Sequence, residues 1–361
     1  MGSSMLREAT LESPPRSTRP RRSGSGSFQV LSCVAVLVAT CLFALSVGRY
    51  PVPIDHVIRV VLESAGLPVY LPSNDVEQTV VLNVRMPRIM LGLLVGGGLG
   101  IAGAALQAIF RNPLVSPEII GVSSGASLGG ALVLLVGWGS VFLVGGAFVF
   151  GLAAMGLLFV LTLGRAGAPM LMVVLGGVVI GSFFSALVSL VTYVADPYTT
   201  LPAIVFWLLG SVATATSTKV LVAAIPILVG ALVLLLLRWR INVLSLGDED
   251  AASLGVHPSR MRWFILISCA LIVAGAVAVS GVIGWVGLVI PHLVRMWSGP
   301  DHRVLLPMSF LVGSIYLIVI DTLARTLSAS EIPLGVLTAV IGAPVFFFLL
   351  RRNRDRIWDG A

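Results

Sequence analysis

Ten apolar runs, separated by short polar or proline-containing turns, constrain this chain more than any other feature of it. Most are near the length an α-helix needs to cross a hydrocarbon core of about 30 Å. A single soluble core has no room for ten such segments. Charge agrees: only 11% of the residues are charged and the mean hydropathy is +1.03, against about 25% charged in an ordinary soluble domain. The reading is an all-α, polytopic membrane protein with about ten transmembrane helices. The net charge of +7 does not point to nucleic acid, because the arginines sit in short clusters between apolar runs with no interleaved aromatics. Cys33, Cys41 and Cys269 all fall inside apolar runs and read as packing residues.

Residues 1–27 are rich in Ser, Pro and Arg and cannot form a core, so they read as a disordered tail. Basic residues ahead of the run Phe28–Val47 resemble the start of a signal peptide. No small-residue cleavage site follows Val47, however, and the run is long enough to span, so it reads as the first transmembrane helix. After a proline-punctuated external segment with a short helix near Ile54–Ala65, the second span covers about Pro87–Phe110 and is unusually rich in Gly and Ala, as close helix packing requires. After Pro117, which allows a new helix to begin, the third starts with Gly121-Val122 and runs to about Leu135, the fourth covers Val141–Leu163 and the fifth Met170–Val194. A short helix at Leu201–Gly210 carries Trp207, a residue suited to the membrane interface. The remaining spans are Val220–Leu237, Trp263–Val279, Gly284–Met296, Val304–Leu323 and Leu334–Leu350. Residues 28–352 thus form one transmembrane domain with residues 247–262 as its cytoplasmic elbow, and residues 353–361 form a short cytoplasmic tail.

Ten spans put both termini on one side. With the termini inside, 17 of the 23 Lys and Arg residues fall on cytoplasmic segments, which agrees with the positive-inside rule. Arg49, Arg59, Arg85, Arg88, Lys219 and Arg325 are left at the outer side.

One cytoplasmic segment stands apart. Gly247–Arg262 is short, polar and charged, and apolar runs adjoin it on both sides. Asp248, Glu249 and Asp250 suit a helix N-terminus. Gly255 can end that helix, and Pro258 can start another after His257. The expectation is two short helices with a tight turn, against the plainer alternative of a solvated loop.

Several motifs then carry a resemblance. Arg85-Met86-Pro87-Arg88 and Gln107-Ala108-Ile109-Phe110-Arg111-Asn112-Pro113-Leu114 precede Gly121-Val122-Ser123-Ser124-Gly125-Ala126. Gly284-Trp285-Val286-Gly287-Leu288-Val289-Ile290-Pro291-His292, Glu331-Ile332-Pro333-Leu334-Gly335 and Gly342-Ala343-Pro344 follow. In this order, around ten spans, they closely resemble the FecCD-type permeases of binding-protein-dependent importers, from about Phe28 to Arg352.

The resemblance implies a homodimer in the inner (plasma) membrane of a bacterium. It implies two ATP-binding subunits, which would hold the ATP and Mg, and a periplasmic or lipid-anchored substrate-binding protein. The cargo it implies is an iron chelate, haem or cobalamin, with molybdate-type oxyanions as an alternative. It also assigns roles. Gly247, Asp248, Glu249, Ala252, Leu254, Gly255 and Val256 would couple to the ATPase. Gly164 and Pro169, with Asp196 and Pro197, would mark gates. Arg325, and less clearly Arg59, would dock the binding protein.

The residues themselves weigh against other classes. No Gly-x-x-x-x-Gly-Lys-[Ser/Thr] loop is present, so ATP hydrolysis is assigned to another polypeptide. No cofactor, catalytic residue or metal site is assigned to this chain. A stand-alone ion-coupled carrier would place an ionisable group in mid-span, whereas the charges here lie near span ends. An intramembrane hydrolase would need a base beside its serine. Asp321 and Arg325, four residues apart, can pair on one helix face. His292 reads as a hydrogen-bonded structural histidine, and Gln107 and Asn112 as partners of backbone groups where the second span ends.

Overall fold

A computed structural model describes residues 24–67, 74–162, 170–328 and 330–352. The expected tails fall almost wholly outside them, as does the expected gate from Gly164 to Pro169. Fifteen α-helices follow in order: α1 (Gly24–Ser46), α2 (Ile54–Ser64), α3 (Asp75–Gln78), α4 (Met86–Ile109), α5 (Val122–Val136), α6 (Ser140–Thr162), α7 (Met170–Val194), α8 (Thr200–Leu208), α9 (Ser217–Leu236), α10 (Arg238–Leu246), α11 (Asp248–Ser253), α12 (Pro258–Ser280), α13 (Val286–Ser298), α14 (His302–Leu327) and α15 (Leu334–Arg352). A π-helical stretch, Thr79–Arg85, joins α3 to α4. No β-strand occurs among the described residues.

Seven helical segments are long and apolar enough to cross a membrane: α1, α3 through α4, α6, α7, α9, α12 and α14. The shorter helices α5, α13 and α15 occupy the other three expected spans. Alpha-helices satisfy their own backbone, which is why a chain with these runs folds this way in lipid.

The glycine-rich α4 is the axis of the bundle: 89% of its apolar window is buried, against 22% for α7. Glycines let its neighbours approach to backbone distance. A Cβ on Gly100 would overlap the Ser309 carbonyl of α14, and one on Gly103 would overlap the Gly287 carbonyl of α13. Gly98 faces Ile227 of α9 and Ile272 of α12, each 2.9 Å from where a Cβ would stand. The expected packing role of Gly96, Gly97 and Gly98 is what the structure shows.

Three local features refine the expected spans. The third span starts where expected, at Gly121-Val122, after a 3-10 turn, Pro117–Ile120, that Gly121 breaks off at φ 75°. The sixth span ends at Leu236, and Arg238-Trp239-Arg240 opens a further helix, α10. The Trp207 ring lies against Gly130 of α5 and would overlap any Cβ there. It sits near the C-terminal end of α8, whose following loop is tied down by Ser211 N–H donating to the Ser280 carbonyl (2.7 Å) and Leu334 N–H donating to the Gly210 carbonyl (2.9 Å).

Candidate functional site

The polar elbow between the sixth and seventh spans is a built structure rather than an open loop. Helix α10 buries Ile241, Val243 and Leu244. It ends at Gly247, whose φ of 145° and ψ of 168° turn the chain sharply into α11. Asp248, Glu249 and Asp250 occupy the first turn of α11, where carboxylates meet the positive end of the helix dipole. The C-terminus closes in a Schellman arrangement. Gly255, at φ 78°, donates its N–H to the Ala252 carbonyl (3.0 Å), and Val256 donates to the Ala251 carbonyl (2.9 Å). Ala251 and Val256 are both buried, which supplies the apolar contact that accompanies this motif. Pro258 then occupies the first turn of α12, where a missing N–H costs nothing. The expected second short helix is therefore the transmembrane helix α12 itself, so displacement of the elbow would bear directly on a span.

Charges pin the elbow to the bundle. The Asp248 carboxylate pairs with Arg262 of α12 and lies 3.9 Å from Arg111, in the turn after α4. Asp248 is thus engaged within its own chain. Glu249, Ala252, Leu254 and Gly255 face outward, and Leu254 and Leu246 are 55% and 62% exposed at an otherwise polar end of the molecule. A further tie joins α10 to α14. The Asn242 amide donates to the Asp301 carboxylate (2.6 Å), which also accepts from the Arg303 N–H (2.9 Å). Partial burial pushes the Asp301 pKa up, but the hydrogen bonds from Arg303 N–H and Asn242, with the neighbouring charge of Arg303, outweigh it and hold the carboxyl below its usual range.

At the opposite end the structure departs from expectation. Arg325 is buried at 7% exposure and donates to the Ala44 carbonyl; it presents no guanidinium for docking. The reason lies in α1. The last four carbonyls of a helix have no partner within it. Here Val47 N–H takes the Phe43 carbonyl, Arg325 the Ala44 carbonyl, Arg85 the Leu45 and Ser46 carbonyls, and Val52 N–H also takes Ser46. Two arginines far along the sequence therefore cap α1, and their positive charge suits its C-terminal dipole. Gly48 leaves room for them: a Cβ there would stand 2.7 Å from Arg85.

Arg88 was legible only as part of a motif, and its partners were missed. Its Nε donates to both Asp321 carboxylate oxygens (2.8 and 2.9 Å), and its terminal nitrogens form a fork on Glu331 (3.1 and 3.0 Å). Asp321 is only 3.9 Å from Arg325, so the expected i, i+4 pair exists but is the weaker of its two ion pairs. The cluster ties α4, α14 and the segment before α15 together. The available signal was that Arg88 and Asp321 each lie at the outer end of an apolar run, the second and the ninth.

The other assigned residues fall as follows. Arg59 lies on the amphipathic α2 and donates to Asp55 (3.3 Å). Asp196 accepts from the Tyr198 and Thr199 N–H groups and from the Thr199 hydroxyl. These bonds close the turn into α8 and depress its carboxyl, with Pro197 exposed beside it. Gln107 donates to the Leu288 carbonyl (3.2 Å) and Asn112 accepts from the Leu114 N–H (2.9 Å), as expected. His292 differs: it is buried with neither ring nitrogen hydrogen-bonded, and its ring meets Phe346 edge-on at 5.8 Å.

A glycine-packed bundle of apolar spans around one buried helix, with a rigid polar elbow at one end, defines a multi-pass membrane permease. Residues 36–352 match the model of the FecCD transport family, and the chain belongs to that family. It is 43% identical over 315 residues to the molybdate import system permease protein MolB of Haemophilus influenzae, covering 87% of this chain and 93% of that one. It is 39% identical over 292 residues to the hemin transport system permease protein HmuU of Yersinia pestis, covering 79% and 86%. Among solved structures, a metal-chelate type ABC transporter in an inward-facing conformation superposes with a TM-score of 0.82 at 41% identity, over 90% of this chain and 99% of that one.

Proposed function

We propose that this chain is the membrane-spanning subunit of an ATP-driven importer in a bacterial inner membrane, with both termini cytoplasmic. It works as a homodimer that receives cargo from a substrate-binding protein outside. Two ATPase subunits inside drive it and hold the ATP and Mg. Its cargo is an iron chelate, haem or cobalamin; the 43% identity to a molybdate permease favours a molybdate-type oxyanion as the second reading. The exposed apolar faces of α7 and α15, which include Val179 and Val340, each 63% exposed, support pairing of two copies around a shared path. The gate role of Asp196 and Pro197 belongs to this proposal, as does that of Gly164 and Pro169.

The observation that carries the coupling role is the elbow. A helix of six residues is too short to be stable alone. Here it is locked at both ends, ion-paired to α12, and offers Leu254 and Glu249 outward. That is what a part needs if it is to transmit force rather than absorb it. The test is reconstitution of the chain with its ATPase and binding protein in vesicles. Replacing Leu254 with Asp should abolish uptake while ATP hydrolysis continues. Unchanged uptake would refute the coupling role, and uptake by the chain alone on an ion gradient would refute the importer.

A further inference from the structure

A deep apolar groove opens on the flank of the bundle, away from both the elbow and the ion-pair cluster. Helices α6 and α9 both pack on α12 but splay apart from each other, leaving a volume of about 990 Å³. Its walls are apolar: Val141, Val144 and Phe148 on one side, Val222, Ile225 and Val229 on the other. Pro226, inside α9, sits against Gly275 of α12 at its floor. Gly145 helps keep it open, with no atom within 4 Å of where its Cβ would stand.

The mouth is different in kind. It is lined by Thr214, Thr216, Thr218 and Lys219, the only lysine in the chain. The Lys219 ammonium donates to the Thr214 hydroxyl (2.7 Å), and no described carboxylate lies within ion-pairing distance of it. Two of its three protons therefore remain for a ligand. The groove runs from Lys219 to Val229 along α9. Ten helical residues rise about 15 Å, half of a hydrocarbon core of about 30 Å. The cavity is therefore one leaflet deep, with its cation at the head-group level.

We propose that this groove is a binding site for an anionic phospholipid. Its acyl chain lies between α6 and α9, and its phosphate is held by Lys219 and the threonine hydroxyls. The lipid fills the volume between the two splayed helices above the Pro226–Gly275 contact, and so acts as a structural wedge between two spans. The inference goes beyond the transport reading and does not depend on it.

Native mass spectrometry of the purified full chain, in mixed micelles of dioleoyl phosphatidylglycerol and dioleoyl phosphatidylcholine, tests it. Wild type should retain the anionic lipid preferentially. Lys219→Gln should weaken that retention about five-fold, the size of one lysine's attraction for anionic lipid, and leave phosphatidylcholine unaffected. Gly145→Leu, which fills open space, should reduce retention of both. Equal retention of the two lipids by wild type, or no effect of Lys219→Gln, would overturn the proposal. So would displacement of phosphatidylglycerol by millimolar inorganic phosphate, which would make this a phosphate site. A change of oligomeric state in Gly145→Leu with lipid retention intact would make the groove a contact between copies instead. If Gly145→Leu fails to fold, Lys219→Gln alone decides.

Discussion

Arg88 gives the sharpest test of the packing, because it is one arginine serving two acids on two other elements. Replacing it with Ala strips Asp321 of its contacts at 2.7–2.9 Å and Glu331 of both prongs of its fork. The Asp321 side chain is only 4% exposed, so its charge is left without water. Removing one partner of a buried pair costs about 3–5 kcal/mol. Arg325, with its Nε 3.9 Å from Asp321, remains to compensate, which places the expected loss near the lower end of that range. Glu331 is about a third exposed and can turn to water, so it adds little. The assay is thermal unfolding of detergent-purified protein, followed by loss of the monodisperse peak. Arg88→Ala should lower the midpoint markedly and Asp321→Ala comparably. The double variant should fall well short of the sum, because it leaves no stranded carboxylate at 321. Arg59→Ala, which breaks an exposed pair worth about 0.3–0.5 kcal/mol, is the control. Additivity in the double variant, or an Arg88→Ala midpoint equal to that of Arg59→Ala, would refute the reasoning.

The remaining predictions are more local. Arg325→Ala should destabilise the α1 end, seen as faster proteolysis near residue 46, and should leave binding-protein affinity unchanged in a pull-down from the folded fraction. Gly255→Val places a β-branched residue at φ 78° and should cost roughly 1–2 kcal/mol, without a steric clash, since nothing lies within 4 Å of its Cβ position; thermal midpoints with and without the substitution measure it. Gly103→Leu cannot be accommodated against the Gly287 backbone and should abolish recovery of folded protein by size exclusion. Asp301 is depressed in the folded state, so its contribution is complete above the ordinary carboxylate value of about 3.9. That contribution is lost as pH falls through the lower folded value. Asp301→Asn should therefore lower stability at neutral pH and flatten the acid limb of the profile, so that variant and wild type converge well below pH 4, as followed by melting across pH.

The elbow was readable in advance because its chemistry is local. Three acids, a glycine and a proline within eleven residues specify a helix start, a helix stop and the next start, and hydrogen bonds three to five residues apart carry them out. Arg325 was misread because its function depends on an orphan carbonyl 281 residues away. Nothing adjacent to it in the chain announces that α1 ends there.

Taken alone, the order of amino acids determined that this chain crosses a membrane about ten times, where its spans lie to within a few residues, and that one polar elbow interrupts them. Those are consequences of hydropathy and of backbone hydrogen bonding over a single turn. Only the tertiary structure decided which helix sits at the centre, which arginine pairs with which acid, and where a groove stays open. Those outcomes depend on side chains such as Arg88 and Asp321, which are 233 positions apart. They meet because glycines on α4 and α14 let two backbones touch.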